Sequence, residues 1–133
     1  MNAIEIGLYN KLKGNSTLTA ALSSATAIYN TVAPQGTSMP YVVFNWAGGG
    51  LENISPSELH NVVYVVKALA DDTSEAATLQ GYIKSAVHLQ TLTVSGYTNM
   101  ITLCEDALQF AEATRDGQVI HHRGYVVRIR IDD

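Results

Sequence analysis

Residues 28–46 read IYNTVAPQGTSMPYVVFNW, and this stretch carries the clearest fold signal in the chain. Apolar and aromatic residues at its two ends flank a connector, from Pro34 to Pro40, that is rich in proline, glycine and small polar residues. β-Branched and aromatic residues favour strands, whereas proline cannot donate a hydrogen bond to a strand ladder. The stretch therefore predicts a strand, an irregular loop and a second strand.

The second of these strands has two unlike faces, because side chains alternate across a strand. Its more apolar face carries Val42, Phe44 and Trp46. Such a face is expected to pack on a core. For Trp46 itself we favour the protein's own core, and burial by another subunit is the open alternative.

Two short helices are predicted before this stretch and one long helix after it. The first shows an apolar repeat at i, i+4 and i+8 over residues 4–12. The second, over residues 15–25, can be capped by Asn15 or Ser16. The third follows a 3.6-residue period over residues 72–88 and opens on acidic residues, which complement the helix dipole.

The rest of the chain is predicted to form a sheet. Residues 59–69 alternate between two largely apolar faces, which is typical of a central strand that is covered on both sides. Further strands are predicted at residues 90–94, 97–103 and 119–131, with a hairpin turn at 115–117. Residues 107–113 are also interpreted as a strand, with the choice between helix and strand left open for residues 105–113. The order predicts one α+β domain, residues 1–133, with a mostly antiparallel sheet and helices on one face.

Composition argues against several classes of protein. The 133 residues include 8 basic and 12 acidic side chains, for a net charge of −4, which disfavours a protein that binds nucleic acid by neutralising phosphates. Cys104 is the only cysteine, so no internal disulfide forms, which fits a reducing cytosol. We expect no secretion signal and no membrane segment, because no apolar run approaches the length of a span.

The sequence shows no pattern typical of a catalytic, metal or cofactor site. The four histidines are His60, His88, His121 and His122. None of them is spaced to place two metal ligands on one face. Asp71, Asp72 and Glu75 are explained by helix capping, and the glycines at 48–50 lack a phosphate-binding pattern. We therefore expect neither an enzyme nor a cofactor.

The arrangement of an Ile-Tyr pair, a short Pro/Gly loop and a Pro-Tyr-Val-Val strand resembles the tail-completion, or tail-terminator, proteins of long-tailed bacteriophages. The resemblance covers nearly the whole chain, because the helices and strands also follow the family's order. It implies a structural virion protein, assembled in the host cytoplasm, that forms a hexameric ring on the head-proximal end of the tail tube. There it would end tube polymerisation, contact the tube protein and the head-completion or connector proteins, and let genomic DNA pass without specific binding.

Ring closure requires contacts between different surfaces of neighbouring subunits, and long loops often form such contacts. The connector at residues 48–57 and the hairpin turn at 115–117 are our candidates. The predicted contact residues are Trp46, Gly48, Gly49, Gly50, Leu51, Glu52, Asn53, Ile54, Asp116 and Gly117. A head-side neck adaptor or stopper is the main rival function, and a small hydrolase or ligand-binding domain is a more distant one.

Overall fold

The computed structural model describes residues 2–52 and 59–132 and confirms an α+β fold. Three helices and five strands follow one another along the chain. In order they are α1 (Asn2–Lys13), α2 (Ser16–Ala21), β1 (Ile28–Asn30), β2 (Tyr41–Glu52), β3 (Leu59–Ala70), α3 (Thr73–Val87), β4 (Thr98–Ala113) and β5 (Val119–Asp132). No helix in the described ranges is both long and apolar enough to span a membrane.

The strands form a single sheet in the order β1-β2-β3-β5-β4. β1 lies parallel to β2, and the remaining neighbours are antiparallel. β3 is the third strand of the five, which confirms the prediction of a central strand for residues 59–69. The strand, loop and strand predicted for residues 28–46 are also confirmed, but the parallel pairing of β1 was not foreseen.

The helices pack on one face of the sheet, and the main core lies between them. Phe44 and Val66 occupy the same cross-strand position and are both buried, as the alternation of β2 predicts. Leu8 of α1 and Ile83 of α3 are fully buried above the sheet. From the last strand, the core includes Val127, Ile129 and Ile131.

Side chains cap two of the helices where the sequence predicts caps. The Asn15 side chain accepts a hydrogen bond from the Leu18 amide at 3.0 Å, and Asp72 accepts one from the Ser74 amide at 3.1 Å. The second helix is shorter than predicted, because the chain turns into extended conformation at Leu22. Asp72 is thus used as a cap, which is the interpretation that the sequence favours.

Three other predictions for the sheet need revision or completion. The strand predicted at residues 90–94 is wrong: this segment is irregular and contacts β4, where the Leu92 amide donates to the Asn99 side chain at 2.8 Å. Residues 105–113, left open by the sequence, belong to β4. The connector predicted at 48–57 starts too early, because β2 continues to Glu52 through a bulge at Ala47.

Candidate subunit interface

Trp46 and Leu51 lie on the helix-side face of β2, where the strand extends past its neighbour β1. Cross-strand pairing places Trp46 beside the buried Tyr64, and β1 ends opposite Phe44. The two side chains remain 54% and 56% exposed. The prediction that Trp46 belongs to the protein's own core is therefore wrong, because its strand runs beyond the part of the sheet that β1 covers.

The glycines at 48–50 are strand residues and not a loop. Gly49 has φ +89°, and a Cβ atom there would lie 2.2 Å from the Asn61 carbonyl oxygen. Only glycine fits this close approach to β3. Glu52 ends β2 as described, whereas Asn53 and Ile54 lie outside the described residues.

Asp116 and Gly117 form the tip of the β4–β5 hairpin, as predicted. The Thr114 amide donates to the Gln118 carbonyl at 2.8 Å, and Gly117 takes the positive φ of +84° that the turn requires. The Thr114 hydroxyl and the Gln118 amide both donate to the Asp116 carboxylate. These hydrogen bonds hold the pKa of Asp116 below its usual value. The carboxylate thus has a structural use in the turn.

The predicted contact residues separate into two groups at opposite edges of the sheet. Trp46 to Glu52 lie on β2, near one edge, and Asp116 with Gly117 lie at the end of β4, the strand at the other edge. The fold therefore does not bring them together within one chain. Two distant surfaces are what a head-to-tail contact between subunits requires.

The face of the sheet opposite the helices carries a polar and aromatic cluster that sequence reasoning missed. The His122 ring stacks on Phe110 with centroids 4.2 Å apart, and the Lys67 ammonium lies 5.0 Å from the centre of the same Phe110 ring. Burial lowers the pKa of Lys67, and the Glu112 carboxylate opposes this shift. The strand alternation shows that these residues share a face, but the strand assignment of residues 105–113 was needed to see it.

Further along that face, Arg128 is held between two side chains. Its guanidinium donates to the Glu105 carboxylate and, at 2.8 Å, to the Asn61 side-chain oxygen. The Arg128 charge is therefore partly neutralised within the sheet. This contact reduces the attraction that Arg128 could exert on phosphates.

Cys104 has the environment of a packed thiol. Burial raises the pKa of Cys104 to about 11, although the Lys84 charge acts in the opposite direction. The nearby His88 ring accepts a hydrogen bond from the Cys104 backbone amide at 3.0 Å. A thiol that stays protonated at neutral pH is a poor nucleophile.

Candidate metal ligands do not cluster in the described residues. Within residues 2–52 and 59–132, no three His, Cys, Asp or Glu side chains come together in a way that could hold a metal ion.

A groove of about 330 Å³ lies between α1 and β1 and is lined partly by Ile6, Tyr9 and Phe44. Glu5, also in this groove, accepts a hydrogen bond from the Asn30 side chain at 3.0 Å. The groove thus combines apolar side chains with a hydrogen-bonded polar pair, and nothing in its lining indicates a ligand.

Comparison with known proteins identifies a chain with the same fold and the family to which this protein belongs. The fold matches a chain in the virion of a native gene transfer agent particle with a TM-score of 0.77 and 17% sequence identity, over 99% of this chain and 96% of that chain. At this identity the match shows a shared fold. No curated protein sequence matches the chain. The model of the tail completion protein gp17 family matches residues 7–132, almost the entire chain, and the protein therefore belongs to this family of virion tail proteins.

Proposed function

We propose that the protein is a tail terminator: a ring that caps the head-proximal end of the tail tube, ends tube polymerisation and provides the surface for joining the head. The family match over residues 7–132 carries this proposal. The shared fold with a chain of a gene transfer agent virion supports it further. A role in assembly also fits the surface, because strand β2 exposes two large apolar side chains, Trp46 and Leu51.

The ring is proposed to be a hexamer with head-to-tail contacts. A ring closes when one surface of each subunit meets a different surface of the next. The exposed end of β2 and the β4–β5 hairpin lie at opposite sides of the sheet and are suited to these two roles. The faces that remain would contact the tube protein below and the connector proteins above.

Genomic DNA is proposed to pass through the ring without specific binding. The chain carries 12 acidic and 8 basic residues, so the assembled ring would be negatively charged overall. Strong attraction to phosphates would retard the DNA, and a protein of this charge avoids it. Arg128 is paired with Glu105, which weakens the attraction of this arginine for phosphates.

The test is electron microscopy of particles assembled without this protein. We expect tails of irregular and excessive length, because tube growth would have no stop. Tails of normal length beside unjoined or leaking heads would contradict the terminator role and would support the head-side adaptor. Normal particles would contradict both functions.

A substitution at the candidate interface makes the test specific. Leu51→Asp places a charge on an exposed strand residue, so we expect a folded chain that fails to restore normal tails. Ala20→Asp is the control, because Ala20 is also exposed but lies on α2, outside both candidate surfaces. Normal tails with the folded Leu51→Asp chain would contradict the placement of the interface at β2.

A further inference from the structure

The two edges of the sheet are each covered along only part of their length. On one side, β1 pairs with residues 42–44 of β2, so the remainder of β2 forms the edge. β1 itself offers little to another strand, because the Ile28 amide bonds to the Thr26 carbonyl and the Asn30 carbonyl accepts from Val32. On this side, residues 46–51 of β2 are the part of the edge that remains accessible; we call them the Trp46 edge.

On the other side, the first half of β4 is covered by the segment that follows α3. The Leu89 amide bonds to the Thr102 carbonyl at 2.8 Å, and His88 accepts from the Cys104 amide at 3.0 Å. Leu92 donates to the Asn99 side chain at 2.8 Å. The Thr102 carbonyl and the Cys104 amide, on the outer side of β4, are thus bonded within the chain.

The second half of β4 has no such cover among the described residues. The Thr114 amide faces β5, so by alternation the outward backbone groups belong to residues 107, 109, 111 and 113. In the described ranges, no hydrogen bond joins these groups to another segment. Residues 107–113 also contain neither lysine, proline nor bulge, the usual devices that protect an edge strand. We call this part the alanine edge.

The side chains of the two edges are complementary in size. Ala107, Ala111 and Ala113 are exposed and share the helix-side face of the sheet with one larger residue, Gln109, because Ala107 pairs with Tyr125. Trp46 and Leu51 are exposed on the same face at the opposite edge. If two sheets meet edge to edge, the large apolar side chains of one lie beside the small side chains of the other, and both lose water contact.

We propose that the alanine edge of one chain docks against the Trp46 edge of a second copy of this chain. The contact extends the ring proposed above, and it is head-to-tail because the two edges differ. Within one sheet, β2 and β4 run in opposite directions. Neighbouring copies with the same orientation therefore bring the two strands together antiparallel, which is the commoner pairing.

The pairing requires neighbours to be displaced along the strand direction. Gly49 lies level with Thr102, through Val62 and Ile129, whereas the alanine edge is centred on Phe110. Along β4, Phe110 lies eight positions after Thr102, and the bulge between Cys104 and Asp106 removes one position from this count. The displacement is therefore about seven residues, or roughly 23 Å. Such a stagger inclines the strands to the ring axis, as in closed barrels.

Side-chain packing carries much of this contact. The bulge at Ala47 and the positive φ of Gly49 interrupt the regular extended backbone of the Trp46 edge. Fewer ladder hydrogen bonds can therefore form than in an ordinary strand pair. Burial of Trp46 and Leu51 against the alanines supplies the rest of the stabilisation of this contact.

Cysteine crosslinking tests the contact directly. The variant carries Leu51→Cys and Ala107→Cys, with Cys104→Ala to remove the native thiol, and is treated at high protein concentration with a short bismaleimide. Within one chain, residues 51 and 107 lie on opposite edges, three strand spacings or roughly 14 Å apart across the sheet and further along it. Crosslinks between copies should therefore produce a ladder of multiples of the 14.3 kDa chain.

The controls separate this contact from others. Each single-cysteine variant should remain monomeric, and so should the pair Leu51→Cys with Ala20→Cys, because Ala20 is exposed on α2. Adding Ala111→Lys to the reactive pair should suppress the ladder, whereas adding Ala20→Lys should leave it unchanged.

A folded double-cysteine variant that stays monomeric would overturn the proposal. Dimers of a single-cysteine variant in place of the ladder would also overturn it, because they indicate a symmetric contact. Circular dichroism checks that each variant is folded. Tail length in particles is a separate measurement, so the edge contact and the terminator function can fail independently.

Discussion

The Nε2 atom of His122 lies 2.6 Å from Oε1 of Glu112, and this pair joins the last two strands on the face of the sheet opposite the helices. His122 is buried and stacks on Phe110. Burial lowers the pKa of His122 below its ordinary value; the Glu112 carboxylate raises it in part, and the Lys67 charge lowers it further. The pair therefore links the stability of the sheet to pH.

We expect the free energy of unfolding to fall as the pH drops below about 6.5, the ordinary pKa of histidine. The unfolded chain then takes up a proton that folded His122 resists, so stability is retained above this pH and lost below it. Urea unfolding at several pH values measures the effect. His122→Gln should reduce the acid dependence, and Glu112→Gln should increase it, because it removes the group that raises the pKa. Equal acid dependence in wild type and both variants would contradict this assignment.

The glycines at 124 and 81 should respond in opposite ways to alanine. A Cβ atom at Gly124 would lie 2.0 Å from the Val66 carbonyl oxygen, between the two central strands. Gly124→Ala should therefore separate β3 from β5 and strongly destabilise the protein. Gly81 lies on the exposed side of α3 with no such atom within 4 Å. Gly81→Ala should stabilise the protein by about 0.5–1 kcal/mol, as measured by thermal unfolding. Equal effects at the two positions would contradict the close approach of β3 to β5 at Gly124.

Two apolar residues of α1 differ in burial, and their contributions to stability should differ accordingly. Leu8 is fully buried, whereas Ile6 is 53% exposed. Leu8→Ala leaves a cavity and should cost about 2–5 kcal/mol of stability. Ile6→Ala should cost less than about 1 kcal/mol. Denaturant unfolding of both variants is the measurement, and a larger loss for Ile6→Ala would contradict the orientation of α1.

The sequence predicted the parts of the fold that depend on local pattern. Val42 and Phe44 alternate with their neighbours and are buried on one face, and Asp72 caps α3 as its position indicates. Trp46 follows the same alternation, but its burial depends on where β1 ends, which the local pattern does not contain. Glycines usually weaken a strand, so the continuation of β2 through residues 48–50 was missed.

The candidate site, like the fold, was predicted only where it depends on local sequence pattern. Residues around Trp46 and Asp116 were recognised from their strand end and turn signals. Their placement at opposite edges depends on the pairing of β5 between β3 and β4, a long-range contact. The alanine edge could have been suspected from the low charge of residues 107–113, but only the cover on residues 99–104 shows which half of β4 is accessible.

Asp71 and Asp72 provide a final test of whether the acidic residues before α3 are structural. Asp72 accepts a hydrogen bond from the Ser74 amide at 3.1 Å, whereas Asp71 precedes the cap and is exposed. Asp72→Ala leaves helix amides unpaired and should cost about 0.5–2 kcal/mol, and Asp71→Ala should cost much less. Thermal unfolding measures both losses. Because capping acts only on the folded state, a folded Asp72→Ala protein should still restore normal tails; loss of tail joining without loss of stability would instead assign Asp72 to a contact with a partner.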